Sequence, residues 1–351
     1  MTGDHKGWVP DPADVAATSW LGRELRLAEP LTAAPITGGW SNITYLVTDG
    51  AGRRVVVRRP PNGPAGGGAH DVLREATIVS ALRDTAVPVP VVVARCADPA
   101  VAAHPFYATE FRPDIVVRSA AVAATVPLER RRRLGFALVD VLADLQAVDL
   151  DAVGLGSLRR RTPYLQRQVR RWGERWRATA QRSVPELDLV GERLTGALDR
   201  VTPATDVIVH GDFRFGNVMI DGIDTARITA VLDWELTTGG HPLADLGSLG
   251  ARMQAPDGVL EGDLEPSAVA GYPSFEELAD RFAERTGVST RDLDLFVALS
   301  AWRWAIIVEG IANRIAQGAM SGGMGGGAAE SAGWHRRRVE LLAAFAADRL
   351  G

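Results

Sequence analysis

Residues 207–233 constrain this chain more than any other stretch. The apolar run Val207-Ile208-Val209 leads into His210-Gly211-Asp212, and Asn217 follows five residues after that Asp. Val218–Ile220 is a second apolar strand, and Ile228–Leu232 a third that ends in Asp233-Trp234-Glu235. Three short strands thus deliver a carboxylate, an amide and a second carboxylate to loop positions at their ends. A chain of this kind has to fold so that those ends are usable.

The residue types suit phosphoryl transfer. A hydroxyl attacking a γ-phosphoryl must be oriented and its proton accepted, and Asp212 at a strand end fits that task. Mg²⁺ takes oxygen ligands and few of them from protein, which matches the amide oxygen of Asn217 and the carboxylate of Asp233. Arg214 would place a cation near the transferring group. His210 reads as a residue that orients the loop through hydrogen bonds. A bare turn with a strand-end carboxylate would leave the joint spacing of these residues unexplained.

Upstream, the pattern is a sheet carrying one helix. Ala34–Thr37, Ile43–Thr48 and Arg54–Arg59 read as strands, with Asp49-Gly50 as a hairpin turn. A helix over Pro12–Leu27, capped by Asp11, comes before them. His70–Leu82 has helical spacing, and Val89–Ala94 and Pro105–Phe111 are further strands. From Pro127 onward helices dominate: 128–148, 159–182, 186–201, 242–252, 274–286, 290–317 and 331–350. The expected architecture is α+β with two lobes, an antiparallel-sheet lobe over 1–112 and a mostly helical lobe over 113–351.

Two glycine-rich segments compete for a phosphate-binding role. Gly66-Gly67-Gly68 has no Gly-Lys-Ser/Thr ending and reads as a flexible connection. Gly38-Gly39-Trp40-Ser41-Asn42 lies at a strand–strand turn, where backbone amides and a hydroxyl would face phosphates. A cation on the third strand and a carboxylate on the next helix would complete the clamp. Strand alternation puts Arg58 on the inner face, with Glu75 opposite on the helix, and leaves Arg59 as a solvated charge. Lys6 is the only lysine among 39 basic residues and precedes every strand, so an arginine must hold the phosphates.

Composition sets the remaining bounds. Net charge is −4, which gives no field for nucleic acid. Cys96 stands alone, so no internal disulfide forms and a reducing, cytoplasmic setting is expected. Acidic Asp4, Asp11 and Asp14 occupy the place of a signal peptide's apolar run, and no stretch is expected to reach membrane-spanning length. Residues 318–327 are low-complexity. The Arg159–Arg182 segment reads as a solvated helix face, and Trp172, Trp176, Trp302 and Trp304 as core, with a substrate wall as the alternative.

The chain resembles the aminoglycoside phosphotransferase/choline-kinase superfamily from Gly38 to about Arg314. It is most similar to the branch that includes kinase-like domains fused to acyl-CoA dehydrogenases. The carrying residues are Ser41-Asn42-x-Thr44-Tyr45, Val57–Pro61, Arg74-Glu75, Pro88-Val89-Pro90, His210-Gly211-Asp212-Phe213-Arg214 with Asn217, Leu232–Glu235, and Pro242 with Asp245-Leu246. The resemblance implies a bilobal protein-kinase-like fold, ATP in the cleft and Mg²⁺ on Asn217 and Asp233. It implies Asp212 as catalytic base, Asp245 as a brace of the catalytic loop, and Thr109-Glu110-Phe111 as a hinge meeting adenine. Gly38, Gly39, Ser41, Asn42, Arg58 and Glu75 fall on the phosphate side. Arg58 stands where lysine is usual across the superfamily, although this branch tends to carry arginine. The implied activity is a small-molecule O-kinase. An anionic acceptor such as a hydroxyacyl-CoA would fit if part of the arginine run faces the cleft. A nucleotide-binding pseudokinase is the alternative, and a protein kinase a more distant one, since no Ala-Pro-Glu segment follows Asp233.

Overall fold

The computed structural model describes residues 12–36, 42–61, 71–260, 265–266, 269–318 and 328–351. Lys6, the cap at Asp11, Gly38, Gly39, Ser41, the Gly66–Gly68 connection and residues 319–327 lie outside the described residues. The chain divides into two compact units. One comprises Met1–Ile115 with Thr229–Thr237, the other Val116–Ile228 with Thr238–Gly351. The sequence division at 112/113 placed 229–237 with the helical part. Those residues join the first unit because they bind it: Val231 N–H donates to Pro88 O at 2.8 Å and Trp234 N–H to Glu75 Oε1 at 3.2 Å.

In the first unit, α1 (Pro12–Glu24) precedes strands β1 (Thr32–Pro35), β2 (Ile43–Thr48) and β3 (Arg54–Arg59), helix α2 (Val72–Ala81), and strands β4 (Val92–Cys96) and β5 (Phe106–Glu110). The five strands form one antiparallel sheet in the order β1-β2-β3-β5-β4. β4 begins later than the sequence suggests, because Pro88 and Pro90 cannot donate to a ladder. Alternation along β3 sends Val55, Val57 and Arg59 to a buried face and Val56 and Arg58 to the other. Leu21 of α1, Tyr45, Val47, Val55, Val57, Phe106 and Ala108 build the core on the first face.

That packing corrects one expectation. Arg59 is not solvated: it is 2% exposed and pairs with Asp14 of α1, Nε to Oδ1 at 2.5 Å and Nη2 to Oδ2 at 3.3 Å. The helix that covers the core face brings its own carboxylate to the arginine there.

β6 (Ile115–Val116) leads into the second unit, where α3 (Ala120–Thr125), α4 (Leu128–Gln146), α5 (Tyr164–Thr179) and α6 (Pro185–Gly196) come first. Strands β7 (Val207–Val209) and β8 (Val218–Ile220) follow, β9 (Ile228–Val231) carries the chain into the 229–237 segment of the first unit, and β10 (Thr238–Gly240), α7 (Leu243–Met253), α8 (Phe275–Thr286), α9 (Leu293–Ala316) and α10 (Ala328–Asp348) complete the second unit. β7 pairs antiparallel with β10, Ile208 opposite Gly239. α9 corrects a second expectation. At 24 residues it is long and apolar enough to cross a membrane. Its Leu293, Phe296, Val297, Leu299, Trp302 and Ile306 are buried inside the protein, so it is read as a core helix.

Candidate functional site

Arg58 is the centre of the first unit's polar cluster. β3 places it opposite Tyr107 of β5, on the sheet face away from α1. Its Nε lies 3.0 Å from Glu75 Oε2, its Nη2 2.5 Å from Asp233 Oδ1 and 3.5 Å from Glu235 Oε2. One guanidinium therefore faces three carboxylates. It cannot neutralise all of them, and Glu75, 2% exposed, is the most deeply buried. Burial pushes the Glu75 carboxyl up to about 7; Arg58 opposes this, while Asp233 and Glu235 add to it. The Arg58 guanidinium moves further up in turn: burial disfavours its charge, but Glu75, Tyr107, Asp233 and Glu235 outweigh burial.

The 233–237 segment is gripped by α2. Arg74 donates to the carbonyls of Glu235, at 3.4 Å, and of Thr237. Asn42 Nδ2 donates to Glu235 Oε2 at 3.1 Å. Asp233 has φ 69° and ψ 59°, a left-handed conformation uncommon for a residue with a side chain. The surrounding hydrogen bonds fix it there. In the 109–111 segment, Glu110 N–H donates to Val91 O and Phe111 N–H to Arg54 O, so both donors are engaged in the sheet.

The second unit carries the His210–Asn217 loop. Gly211 has φ 93°, which admits glycine and little else between His210 and Asp212. Asp245 of α7 is 1% exposed; its Oδ2 accepts from His210 N–H at 2.7 Å and its Oδ1 from Gly211 N–H at 2.8 Å. Burial raises the Asp245 pKa, against the pull of His210 and these two amides. The fully buried His210 ring accepts from Asp212 N–H through Nδ1 at 3.3 Å. Asp212 Oδ2 accepts from Arg214 Nε at 3.2 Å and from Asn217 Nδ2 at 2.8 Å. A Cβ at Gly216 would sit 2.0 Å from Arg214 Nη1, so the absent side chain makes room for that guanidinium. Burial works against the Asp212 charge, yet Arg214, Arg252, His210 and the Asn217 amide together bring its pKa below the ordinary carboxylate value.

These arrangements can be set beside known proteins. The phosphotransferase enzyme family matches residues 32–278. The chain belongs to that family. Among curated relatives, acyl-CoA dehydrogenase family member 10 of Mus musculus is 32% identical over 296 residues. Family member 11 of Gallus gallus is 33% identical over 298 residues. The matches cover 83% and 81% of this chain but span only 27% and 37% of those proteins' lengths. A solved Ralstonia eutropha protein, described as a candidate aminoglycoside phosphotransferase, is 29% identical, with a TM-score of 0.75 over 95% of this chain and 97% of that one. The GDP complex of aminoglycoside 2'-phosphotransferase-IIIa, 15% identical, superposes with a TM-score of 0.63 over 95% and 98% of the two chains, a likeness of fold alone. The fold is the kinase-like α+β fold.

Several residues of this chain escape a sequence reading. Glu235 is a third carboxylate at Arg58, and Tyr107 neighbours the Arg58–Glu75 pair. Arg252 acts on Asp212 from α7. Only the Glu235 position in Asp-Trp-Glu carried a signal, since it stands two residues beyond Asp233. The arginine-rich helix supplies no such group: Arg170, Arg171, Arg175 and Arg177 are exposed, and Arg167 binds the carbonyls of Thr162 and Gly239. Trp172, Trp176 and Trp302 are buried in the core.

Proposed function

We propose that this phosphotransferase transfers the γ-phosphoryl of ATP, with Mg²⁺, to a hydroxyl of a small molecule. The observation that carries the reading is Arg58 held between Glu75 of α2 and Asp233. A fixed cation tied to a helix carboxylate is what a triphosphate clamp needs. Mg²⁺ fits the donor set: Asp233 belongs to a cluster with more carboxylates than cations, and Mg²⁺ needs only one or two protein carboxylates beside phosphate oxygens. Asn217 spends its Nδ2 on Asp212, which leaves Oδ1 as the atom that would ligate the ion. We assign Asp233 and Asn217 to the ion, which when bound neutralises triphosphate charge.

The chain's own groups do the remaining work. Asp212, whose carboxylate charge Arg214, Arg252, His210 and the Asn217 amide favour, accepts a hydrogen bond from the acceptor hydroxyl and orients its lone pair. A carboxylate is a weak base at neutral pH, so orientation of the hydroxyl outweighs early proton removal. Arg214 steadies Asp212 and supplies positive charge beside it. Asp245 fixes the loop through the His210 and Gly211 amides. Because Glu110 and Phe111 N–H groups are engaged, a nucleobase donor would come from beyond Phe111. A nucleotide-binding pseudokinase is the second reading, favoured by arginine at position 58; the presence of Asp212, Asn217 and Asp233 weighs against it. The test is MgATP consumption against hydroxyacyl-CoAs, aminoglycosides, choline and sugars. Turnover of one class supports the kinase; MgATP binding with no turnover of any class supports the pseudokinase.

A further inference from the structure

Arg252, in the last turn of α7, is a charged group of the second unit that the roles above leave unused. It is half-buried, and its guanidinium carbon lies 4.9 Å from the centroid of the Trp304 ring on α9. It acts through space on Asp212, on Arg214 and on the buried Glu265. Among the described residues it donates no hydrogen bond and forms no ion pair, whereas Arg214 donates directly to Asp212. Burial and the like charge of Arg214 lower its pKa, against Asp212 and Glu265.

This is an uncommon state for an arginine. A partly desolvated guanidinium with unspent donors is costly, and a second guanidinium beside it adds repulsion. A ring face under it offsets part of that cost and holds the planar fork in one orientation. Such a fork matches the paired oxygens of a carboxylate or a phosphate. Asp245, two turns earlier on the same helix, accepts from the His210 and Gly211 amides of the loop that carries Asp212, and Arg252 follows it at a spacing of seven, so an anion held by Arg252 lies on the face of α7 that this loop covers.

We propose that Arg252, backed by Trp304, binds an anionic oxygen group of the acceptor, so that this enzyme's acceptors are hydroxy-anions rather than neutral or polycationic alcohols. The inference rests on the phosphotransferase reading above. The anion is a carboxylate or a phosphate carried by the acceptor, not a phosphate of ATP. Arg252 is thus a specificity-determining residue.

The test uses matched acceptor pairs with MgATP: short hydroxy acids against their methyl esters, and sugar phosphates against their parent sugars. Wild type should turn over the charged member of at least one pair with kcat/KM about tenfold or more above its neutral partner, the scale of a paired buried polar contact. Arg252→Ala and the similarly shaped Arg252→Gln should cut that ratio about tenfold or more, chiefly through acceptor KM, and Arg252→Lys should keep part of it. The KM for MgATP should stay unchanged. Wild-type preference for neutral members, no turnover of any charged member, or an unchanged ratio in Arg252→Gln would each overturn the assignment. A rise in MgATP KM in place of acceptor KM would make Arg252 a triphosphate contact and overturn it as well. Calorimetry of MgATP binding, run alongside, separates the cases: lost nucleotide binding by wild type sinks the phosphotransferase reading itself.

Discussion

Replacing Asp245 should loosen the His210–Asp212 loop by an amount that follows from two hydrogen bonds. Its carboxylate, 1% exposed, accepts from His210 N–H at 2.7 Å and Gly211 N–H at 2.8 Å. Asp245→Ala leaves two buried amide donors without an acceptor, at about 1–3 kcal/mol each. Removing a buried charge returns part of this, since burial already raises the Asp245 pKa. The net local cost is about 2–4 kcal/mol, or roughly a 30- to 1000-fold loss of amide protection. Asp245→Asn keeps one acceptor and turns an NH₂ toward the other donor, so its cost should be smaller and of the same sign. Hydrogen exchange read by mass spectrometry on peptides covering 207–217 measures this directly, while protection in β3 and α2 serves as the control. Turnover should fall by about 10²-fold, because Asp212 is two residues away and loses its placement. Unchanged protection at His210 and Gly211 in both variants would refute the bracing argument.

Two further predictions concern the first unit. Breaking the buried Arg59–Asp14 pair with Arg59→Met or Asp14→Leu should each cost about 3–5 kcal/mol, and the double variant should recover most of it. Denaturation of all four proteins checks this, and additive losses would contradict it. Glu75 has its pKa raised from 4.5 to about 7, so its proton is held more tightly in the folded state. That contribution is complete below the unfolded value and is lost as pH rises through about 7. Melting temperatures of Glu75→Gln and wild type at pH 5 and pH 8 should therefore differ in the variant's favour at the higher pH; a gap independent of pH would contradict the raised pKa.

Legibility in the sequence tracked the distance over which a feature is determined. β2 and β3 coincide with the expected Ile43–Thr48 and Arg54–Arg59, because alternation and the Asp49-Gly50 turn are local. The long helices were visible for the same reason, with ends shifted by a few residues. β10 was not visible: Thr238-Gly239-Gly240 has no strand pattern, and its pairing with β7 makes it a strand. The inner placement of Arg58 followed from strand period, but the fate of Arg59 did not. Its partner Asp14 lies 45 residues away on a helix whose docking no local pattern encodes. Arg252 was equally hidden, since only the course of α7 brings it to Asp212. The role of Glu235 depended on the left-handed turn at Asp233.

Calorimetric titration of MgATP into wild type, Asp212→Asn and Asp233→Ala tests the central claim most directly, because it needs no acceptor. Wild type should bind, Asp212→Asn should bind with near-equal affinity, and binding should fall markedly in Asp233→Ala and in wild type with metal removed by EDTA. Folded wild type that fails to bind MgATP at millimolar concentration, or Asp233→Ala that binds as tightly as wild type, would contradict it.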